Sequence, residues 1–280
     1  MITTLFDPIF RVPIIGAVLM CFTSALVGVI CMLKKRSLLG EALSHATYPG
    51  IVISVIIAEA FCTLTEGGMS VTILLGAFIS SIIGLLTIEY MEKKQEIDSD
   101  VALCFILSTF LGVGILLASK IQITNSLLYQ KVQLFLYGQI ATLLKVHLWV
   151  YGILAVVTCL VICILFQEIR MSIFDKNYAR SIGISSKWVD IVCFFVIIWA
   201  IVIGIRSVGI IMMSGMLIIP ATTARQYTNR LSTLFLLSGA FGIISALVGS
   251  ILSMQPLLIQ SKGKALYLSL IHISEPTRPL

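Results

Sequence analysis

The chain has 280 residues, of which 59% are hydrophobic and only 11% are charged. Soluble domains usually carry about 25% charged residues, so this composition excludes an ordinary soluble domain. The net charge of +6 does not indicate nucleic-acid binding, because the basic residues stand between the apolar segments, where they set membrane topology.

Long uncharged segments recur along the chain, and a helix needs roughly 20 apolar residues to cross about 30 Å of hydrocarbon. Helices satisfy their own backbone in lipid, whereas a bacterial barrel would be more polar. The predicted fold is therefore all-α, a polytopic transmembrane bundle of about eight helices. The predicted spans cover residues 12–33, 38–61, 71–90, 101–119, 147–167, 189–205, 207–224 and 231–254.

The connections between these spans carry the topology signal. Eleven Lys and Arg residues fall in one set of loops and seven in the other, which places the richer set in the cytoplasm. On that side, residues 167–187 predict a short helix that is capped by Asp175 and ended by Gly183, either a docking surface or a loop on the membrane. On the outer side, residues 132–138 predict an interfacial helix. Only Arg206 separates the sixth span from the seventh, which predicts a hairpin or a broken helix.

One motif combines ionisable residues with a transmembrane helix, at residues 40–50 (GEALSHATYPG). Glu41 and His45 are four residues apart, so both lie on one helix face. Ionisable groups within a span often mark a transport path, and a carboxylate with an imidazole suits a first-row transition metal. Alternatively, Glu41 interacts with the helix dipole and His45 is a neutral core residue. Pro49, followed by Gly50, weakens the helix just beyond.

The seventh span is a second candidate, because it combines small residues with a proline. Gly209 and Gly215 allow close helix contact, and Pro220 interrupts the helix near its inner end. The methionines of this span, and the pair Cys159 and Cys163 on one face of the fifth, could hold a soft cation, although packing is the favoured interpretation.

Several enzyme motifs are absent from the sequence. No Gly-x-x-x-x-Gly-Lys-[Ser/Thr] loop occurs, so we do not expect the chain to bind ATP in that way. Neither a His-Glu-x-x-His helix nor a Gly-x-Ser-x-Gly turn is present. The sequence therefore favours a transport subunit over an enzyme.

Four segments carry a combined signature. They read KKRSLLGEALSHATYPG at 34–50, LFLYG at 134–138, FDKNYARSIGI at 174–184 and VGIIMMSGMLIIPATTA at 208–224. Together they resemble the permeases of the ABC-3 family, the importers of manganese, zinc and iron, over roughly residues 10–255. The first and fourth segments are specific, whereas the second would be weak alone.

The resemblance implies that Glu41 and His45 line a metal passage, since these positions match the acid and histidine of the family motif. The family usually has Asp where this chain has Glu41, and the longer side chain puts the metal preference in doubt. The segment at 174–184 resembles the one that docks on a separate ATPase. The resemblance assigns that contact to Phe174, Asp175, Ala179 and Gly183.

The resemblance also implies the assembly. The fold would be that of the vitamin B12 and siderophore importers, in the bacterial inner membrane, as a dimer with an identical or homologous permease. An extracytoplasmic solute-binding protein would deliver the divalent metal ion, ATP would bind to the P-loop partner subunit, and no cofactor would be held tightly. We expect one permease domain over residues 1–267. Residues 268–280 are similar to a translated sequencing-library adapter and are expected to be a non-native tail in place of the native C-terminus.

Two other classes of function are open to the sequence. A secondary transporter would need no ATPase partner, but no internal repeat is evident and few carboxylates lie within the spans to carry protons. A membrane-embedded enzyme would need a nucleophile–base pair or a closed metal site, and the sequence indicates neither.

Overall fold

The computed structural model describes residues 8–34, 36, 38–61, 66–140, 143, 145–174 and 186–259. Within these ranges the chain is helical apart from short connections, and no strand occurs. The helices are α1 Pro8–Leu33, α2 Leu39–Phe61, α3 Glu66–Lys94, α4 Ser99–Thr124, α5 Ser126–Tyr137, α6 Lys145–Ile164, α7 Phe166–Phe174, α8 Ser186–Val208, α9 Ile210–Tyr227 and α10 Leu231–Ile259.

Seven helices of the described chain are long and apolar enough to cross a membrane, namely α1 to α4, α6, α8 and α10. The predicted all-α transmembrane bundle is therefore confirmed. The predicted seventh span corresponds to α9, which has 18 residues and is not among the seven. The count of about eight thus resolves into seven long helices and one shorter helix.

The break between α8 and α9 lies at Gly209, not at Arg206 where the sequence predicts it. Arg206 remains within α8, whereas Gly209 has a φ of 87°, a conformation that side-chain-bearing residues rarely adopt. Its backbone lies against that of Gly138, which ends α5 with a φ of 74°. A Cβ on Gly209 would be 2.6 Å from the Gly138 nitrogen, so the two helix ends touch backbone to backbone.

Helix α5 confirms the helix that is predicted in the outer segment, but it starts earlier. It begins at Ser126, where the Asn125 side chain accepts hydrogen bonds from the backbone N–H groups of Leu127 (3.1 Å) and Leu128 (3.4 Å). An asparagine in this position satisfies free donors of the first turn, which explains the earlier start.

Burial separates the central helices from the peripheral ones. Within an apolar stretch of 18 residues in each helix, 72% of the residues are buried in α1 and α2, against 28% in α3, α4 and α6. Helix α2 packs chiefly on α3 and α4, and it also contacts α9 and α5. The helix that carries Glu41 and His45 therefore lies in the interior of the bundle.

Small residues bring α2 and α3 close together. A Cβ on Gly76 of α3 would be 2.8 Å from the carbonyl oxygen of Gly50 and would overlap the Oγ of Ser54. One turn away, the Ser80 hydroxyl donates to the carbonyl oxygen of Ala46 at 2.6 Å. Close backbone approach and serine hydrogen bonds are usual where membrane helices pack, and here they fix the middle of α2.

Candidate functional site

Helix α2 presents Glu41 and His45 on one face. Glu41 lies in the first turn of the helix, and His45 follows one turn later. Both residues are partly exposed, whereas residues 42–44 between them are buried. The Glu41 carboxylate is close enough to His45 to interact with it electrostatically. The pair therefore occupies the accessible strip of an otherwise buried helical segment.

The His45 ring carries an unpaired nitrogen. Its Nδ1 is buried, and no hydrogen-bond partner for it is found among the residues that the structure describes. A buried polar atom without a partner costs roughly 1–3 kcal/mol, so its presence calls for an explanation. With the proton on Nε2, the lone pair of Nδ1 is free to bind a transition metal.

Pro49 affects a second polar group of His45. Proline has no N–H, so the carbonyl oxygen of His45, four residues earlier, lacks its usual helical donor. Pro49 and Gly50 are both buried, and Gly50 is at the close contact with α3 because a Cβ there would be 2.5 Å from the Ser80 Cβ. A carboxylate, an imidazole and this carbonyl are therefore neighbours along the first turns of α2.

This set of ligands is incomplete. The described residues contain no group of three or more His, Cys, Asp or Glu side chains that could hold a metal ion. Glu41 and His45 therefore supply at most two side-chain ligands, whereas a structural zinc site has four. Such a pair can hold an ion only with further ligands from water, backbone or another subunit, and it can release the ion easily.

Helix α9 reaches the start of α2 through Leu217. A Cβ on Gly40, which precedes Glu41, would be 2.9 Å from the Leu217 Cδ1, and a Cβ on Gly28 of α1 would overlap the Leu217 carbonyl. Pro220 is buried about one turn further along α9. Helices α1, α2 and α9 therefore meet directly beside Glu41.

Other predicted positions of α9 lie away from this contact. Gly215 is partly exposed, and outside its own helix backbone the nearest described atom to a Cβ placed there is Ile219 Cδ1 of the same helix, at 3.6 Å. Its role in close helix contact stays a prediction. Met213 is buried in the core, whereas Met212 is 65% exposed, so the methionines do not share one face.

The predicted ATPase-coupling segment is largely outside the described residues. Phe174 is the last residue of α7, but Asp175, Ala179 and Gly183 fall in the gap before α8, and their contact stays a prediction. The tail at 268–280 also lies outside the described ranges.

Two basic residues after α1, Lys34 and Arg36, are paired with acids of other helices. The Lys34 Nζ is 2.7 Å from the Asp190 Oδ1 of α8 and 4.4 Å from the centre of the Phe194 ring. Arg36 pairs with Glu92 near the end of α3. We name this set the linker network: Lys34, Arg36, Glu92, Ser99, Asp190 and Phe194. In the sequence, the indication of this network was that the basic and acidic residues are predicted on the same side of the membrane.

Comparison with known proteins identifies the family of this chain. The profile of the ABC 3 transport family matches residues 6–272. This chain belongs to the ABC 3 transport family. The match covers all four segments that carry the resemblance in the sequence, which confirms it.

Curated relatives of this ABC 3 chain include two with named substrates. The zinc transport system membrane protein TroC of Treponema pallidum is 34% identical, over 86% of this chain and 79% of TroC. The manganese transport system membrane protein MntC of Bacillus subtilis is 32% identical, over 85% of this chain and 53% of MntC. The chain spans about half the length of several curated relatives, 53% and 55% in two further cases.

A solved structure shares the fold of this ABC 3 chain. PsaBC from Streptococcus pneumoniae, solved in complex with Fab, matches 98% of both chains with a TM-score of 0.72 and 24% sequence identity. The likeness shows that the two chains share one fold.

Proposed function

We propose that this chain is the membrane-spanning subunit of an ATP-driven importer that moves divalent transition-metal ions across the bacterial inner membrane. Family membership and the names of the zinc and manganese relatives support a divalent transition metal as the substrate. The resemblance of the sequence motifs adds iron as a third candidate. Within the chain, the observation that carries the proposal is the Glu41–His45 pair on an interior helix, with the unpaired Nδ1 of His45.

In this proposal Glu41 and neutral His45 hold the ion briefly as it passes α2. The carboxylate offsets part of the cost of bringing a divalent cation into a region of low dielectric. The imidazole favours a transition metal over magnesium or calcium, which prefer oxygen ligands. Because the two side chains do not close a coordination sphere, the ion can leave again.

Partner proteins complete the proposed importer. A separate P-loop ATPase subunit binds ATP and contacts the coupling segment with Phe174, Asp175, Ala179 and Gly183. An extracytoplasmic solute-binding protein releases the ion at the outer mouth. A second permease, identical or homologous, forms the other wall of the path and completes the ligands that this chain lacks.

Cellular metal content tests this function. The intact operon is expressed in a host without its own importers, and manganese, zinc and iron are counted by elemental analysis. His45→Ala is compared with wild type at equal membrane abundance, and His147→Ala, near the start of α6, is the matched control because it removes a histidine outside the site. We expect one metal to accumulate with wild type and the control, and uptake to fall at least about tenfold with His45→Ala.

Other outcomes discriminate between parts of the proposal. Uptake that survives His45→Ala would leave the importer in place but make His45 a packing residue. Uptake that needs no ATPase subunit and collapses with an uncoupler would instead indicate an ion-gradient-driven secondary transporter. If no metal accumulates with all partner subunits present, the metal substrate is wrong.

A further inference from the structure

The first arm of the linker network joins Lys34 to α8. Lys34 directly follows α1, and its Nζ is 2.7 Å from the Asp190 Oδ1. The ammonium also lies 4.4 Å from the centre of the Phe194 ring, one turn further along α8, within the range of a cation–π interaction. The Lys34 side chain is only 11% exposed. The Asp190 side chain is 39% exposed, so the pair is sheltered on the lysine side only, and the contact with the Phe194 ring adds to the attachment of Lys34 to α8.

The second arm joins the start of α2 to α3 and α4. The Arg36 side chain pairs with Glu92 of α3, and Glu92 also accepts a hydrogen bond of 2.7 Å from the Ser99 hydroxyl of α4. The Arg36 carbonyl oxygen accepts the N–H of Leu39, the first residue of α2, at 3.1 Å. The Arg36 guanidinium lies 5.6 Å from the centre of the Phe194 ring, so the two arms meet at one aromatic ring.

The network connects two parts of the chain that the proposed function uses. Glu41 lies two residues after Leu39, so a displacement of Arg36 moves the turn that carries the ion-binding pair. Asp190 lies in the second turn of α8, whose first residue is Ser186. The segment assigned to the ATPase contact immediately precedes α8 in the chain. The linker network is therefore a direct bonded route between α8 and the start of α2.

An ordinary surface pair on the same predicted side provides the contrast. Glu89 and Lys93 are four residues apart on α3, with their charged atoms 2.6 Å apart, and the Lys93 side chain is 72% exposed. An exposed pair within one helix contributes little and joins no other element.

We propose that Lys34 and Arg36 are positioning residues that transmit movement of α8 to the Glu41–His45 turn, so that metal transport stays coupled to ATP hydrolysis. The inference rests on the proposed function, because it assigns the network a task within that importer. It also predicts that Asp190, although far from α2 in the sequence, controls the start of α2.

Charge reversal in the assembled importer tests the proposal. The full chain with its ATPase and partner permease is placed in liposomes, and the number of metal ions moved per ATP hydrolysed is measured at equal amounts of complex. Lys34→Asp and Asp190→Lys are expected to lower this ratio about tenfold each, and the double swap to return it to within about twofold of wild type. Reversing the Glu89–Lys93 pair should leave the ratio unchanged.

Hydrogen exchange tests the positioning role without requiring transport. In the purified full chain, Asp190→Lys should speed exchange of the backbone N–H groups at residues 39–45 about tenfold, since a local opening near α2 becomes easier. The milder Asp190→Asn should act in the same direction and guards against a variant that fails to fold. The Lys34–Asp190 swap should restore wild-type exchange.

Failure of the proposed function and failure of this inference have different signatures. A wild-type complex that moves no metal refutes the proposed function. Even then, comparing hydrogen exchange at residues 39–45 between wild type and the Asp190 variants shows whether Asp190 of α8 stabilises the start of α2. A wild-type complex that transports, with unchanged ratios in both single variants or no recovery in the swap, refutes the role of the network. Unchanged exchange at residues 39–45 in both Asp190 variants refutes it as well.

Discussion

The close contact between α2 and α3 predicts that Gly76→Ala destabilises the protein. The added Cβ would be 2.8 Å from the Gly50 carbonyl oxygen and 2.9 Å from the Ser54 Cβ, and it would overlap the Ser54 Oγ. Side-chain rotation can move the hydroxyl, but it cannot move the backbone oxygen of Gly50. The two helices must therefore separate locally, near the part of α2 that follows His45.

The size of the effect follows from two opposing contributions. Overpacking of a tight interior costs about 1–3 kcal/mol, and the upper part of that range, about 2–3 kcal/mol, applies here because the added atom meets a backbone oxygen that cannot rotate away. Replacing glycine by alanine within a helix returns about 1 kcal/mol. We expect a net loss of about 1–2 kcal/mol. For a chain of this size each kcal/mol corresponds to about 2–4 °C in the unfolding midpoint, so Gly76→Ala should lower it by roughly 2–8 °C.

Thermal unfolding of the purified protein in detergent, followed by tryptophan fluorescence, measures this shift. Gly112→Ala on α4 is the matched control, because a Cβ placed there has nothing within 4 Å and should leave stability equal or slightly higher. Adding Ser54→Ala to Gly76→Ala should recover part of the loss, since it removes the overlapping hydroxyl but not the Gly50 oxygen. A Gly76→Ala protein that melts at or above wild type would refute the close contact.

Three further variants or conditions follow from the same geometry. Gly209→Ala should lower the free energy of unfolding by at least about 2 kcal/mol, since its φ of 87° suits glycine. Gly249→Ala is the control and should melt near wild type, because a Cβ there has open space around it. Equal unfolding midpoints of the two variants would contradict the positive φ of Gly209 between α8 and α9. Ser80→Ala should cost roughly 1 kcal/mol in thermal unfolding, because it removes the donor to the Ala46 carbonyl; no change would mean that the bond contributes nothing. Metal uptake should weaken in acid, because a protonated imidazole cannot bind a metal; uptake that is flat from mildly acidic to neutral pH would contradict neutral His45 as a ligand.

The spans and the Glu41–His45 pair could be predicted because both depend on local chemistry. The length of an apolar segment matches the thickness of the bilayer that it crosses. Charged residues within such a segment are rare because burying a charge in lipid is unfavourable, so they are easily recognised in the sequence. The four-residue spacing then places both side chains on one face of α2, as the structure has them. Their task as metal ligands remains a proposal, since the described residues supply only part of a coordination sphere.

The contacts between helices could not be predicted, because apolar spans look alike whether they face protein or lipid. Helix α2 is less hydropathic than α3, yet within an apolar stretch of 18 residues 72% of its residues are buried, against 28% in α3. The break at Gly209 was missed for a related reason: Arg206 interrupts the hydrophobic pattern but not the helix, whereas a glycine with positive φ ends it. The Lys34–Asp190 pair joins residues 156 positions apart, which no local pattern reports.

Two kinds of contact hold α2 on either side of the Glu41–His45 turn. On one side, Arg36 is bonded to the first residue of the helix and to Glu92 of α3. On the other side, close backbone approach and the Ser80 hydroxyl hold the middle of the helix. Between these anchors, the Nδ1 of His45 is left without a partner among the described residues. In the proposed importer, this turn, which is held at both ends, is the part of α2 that binds the ion and releases it again.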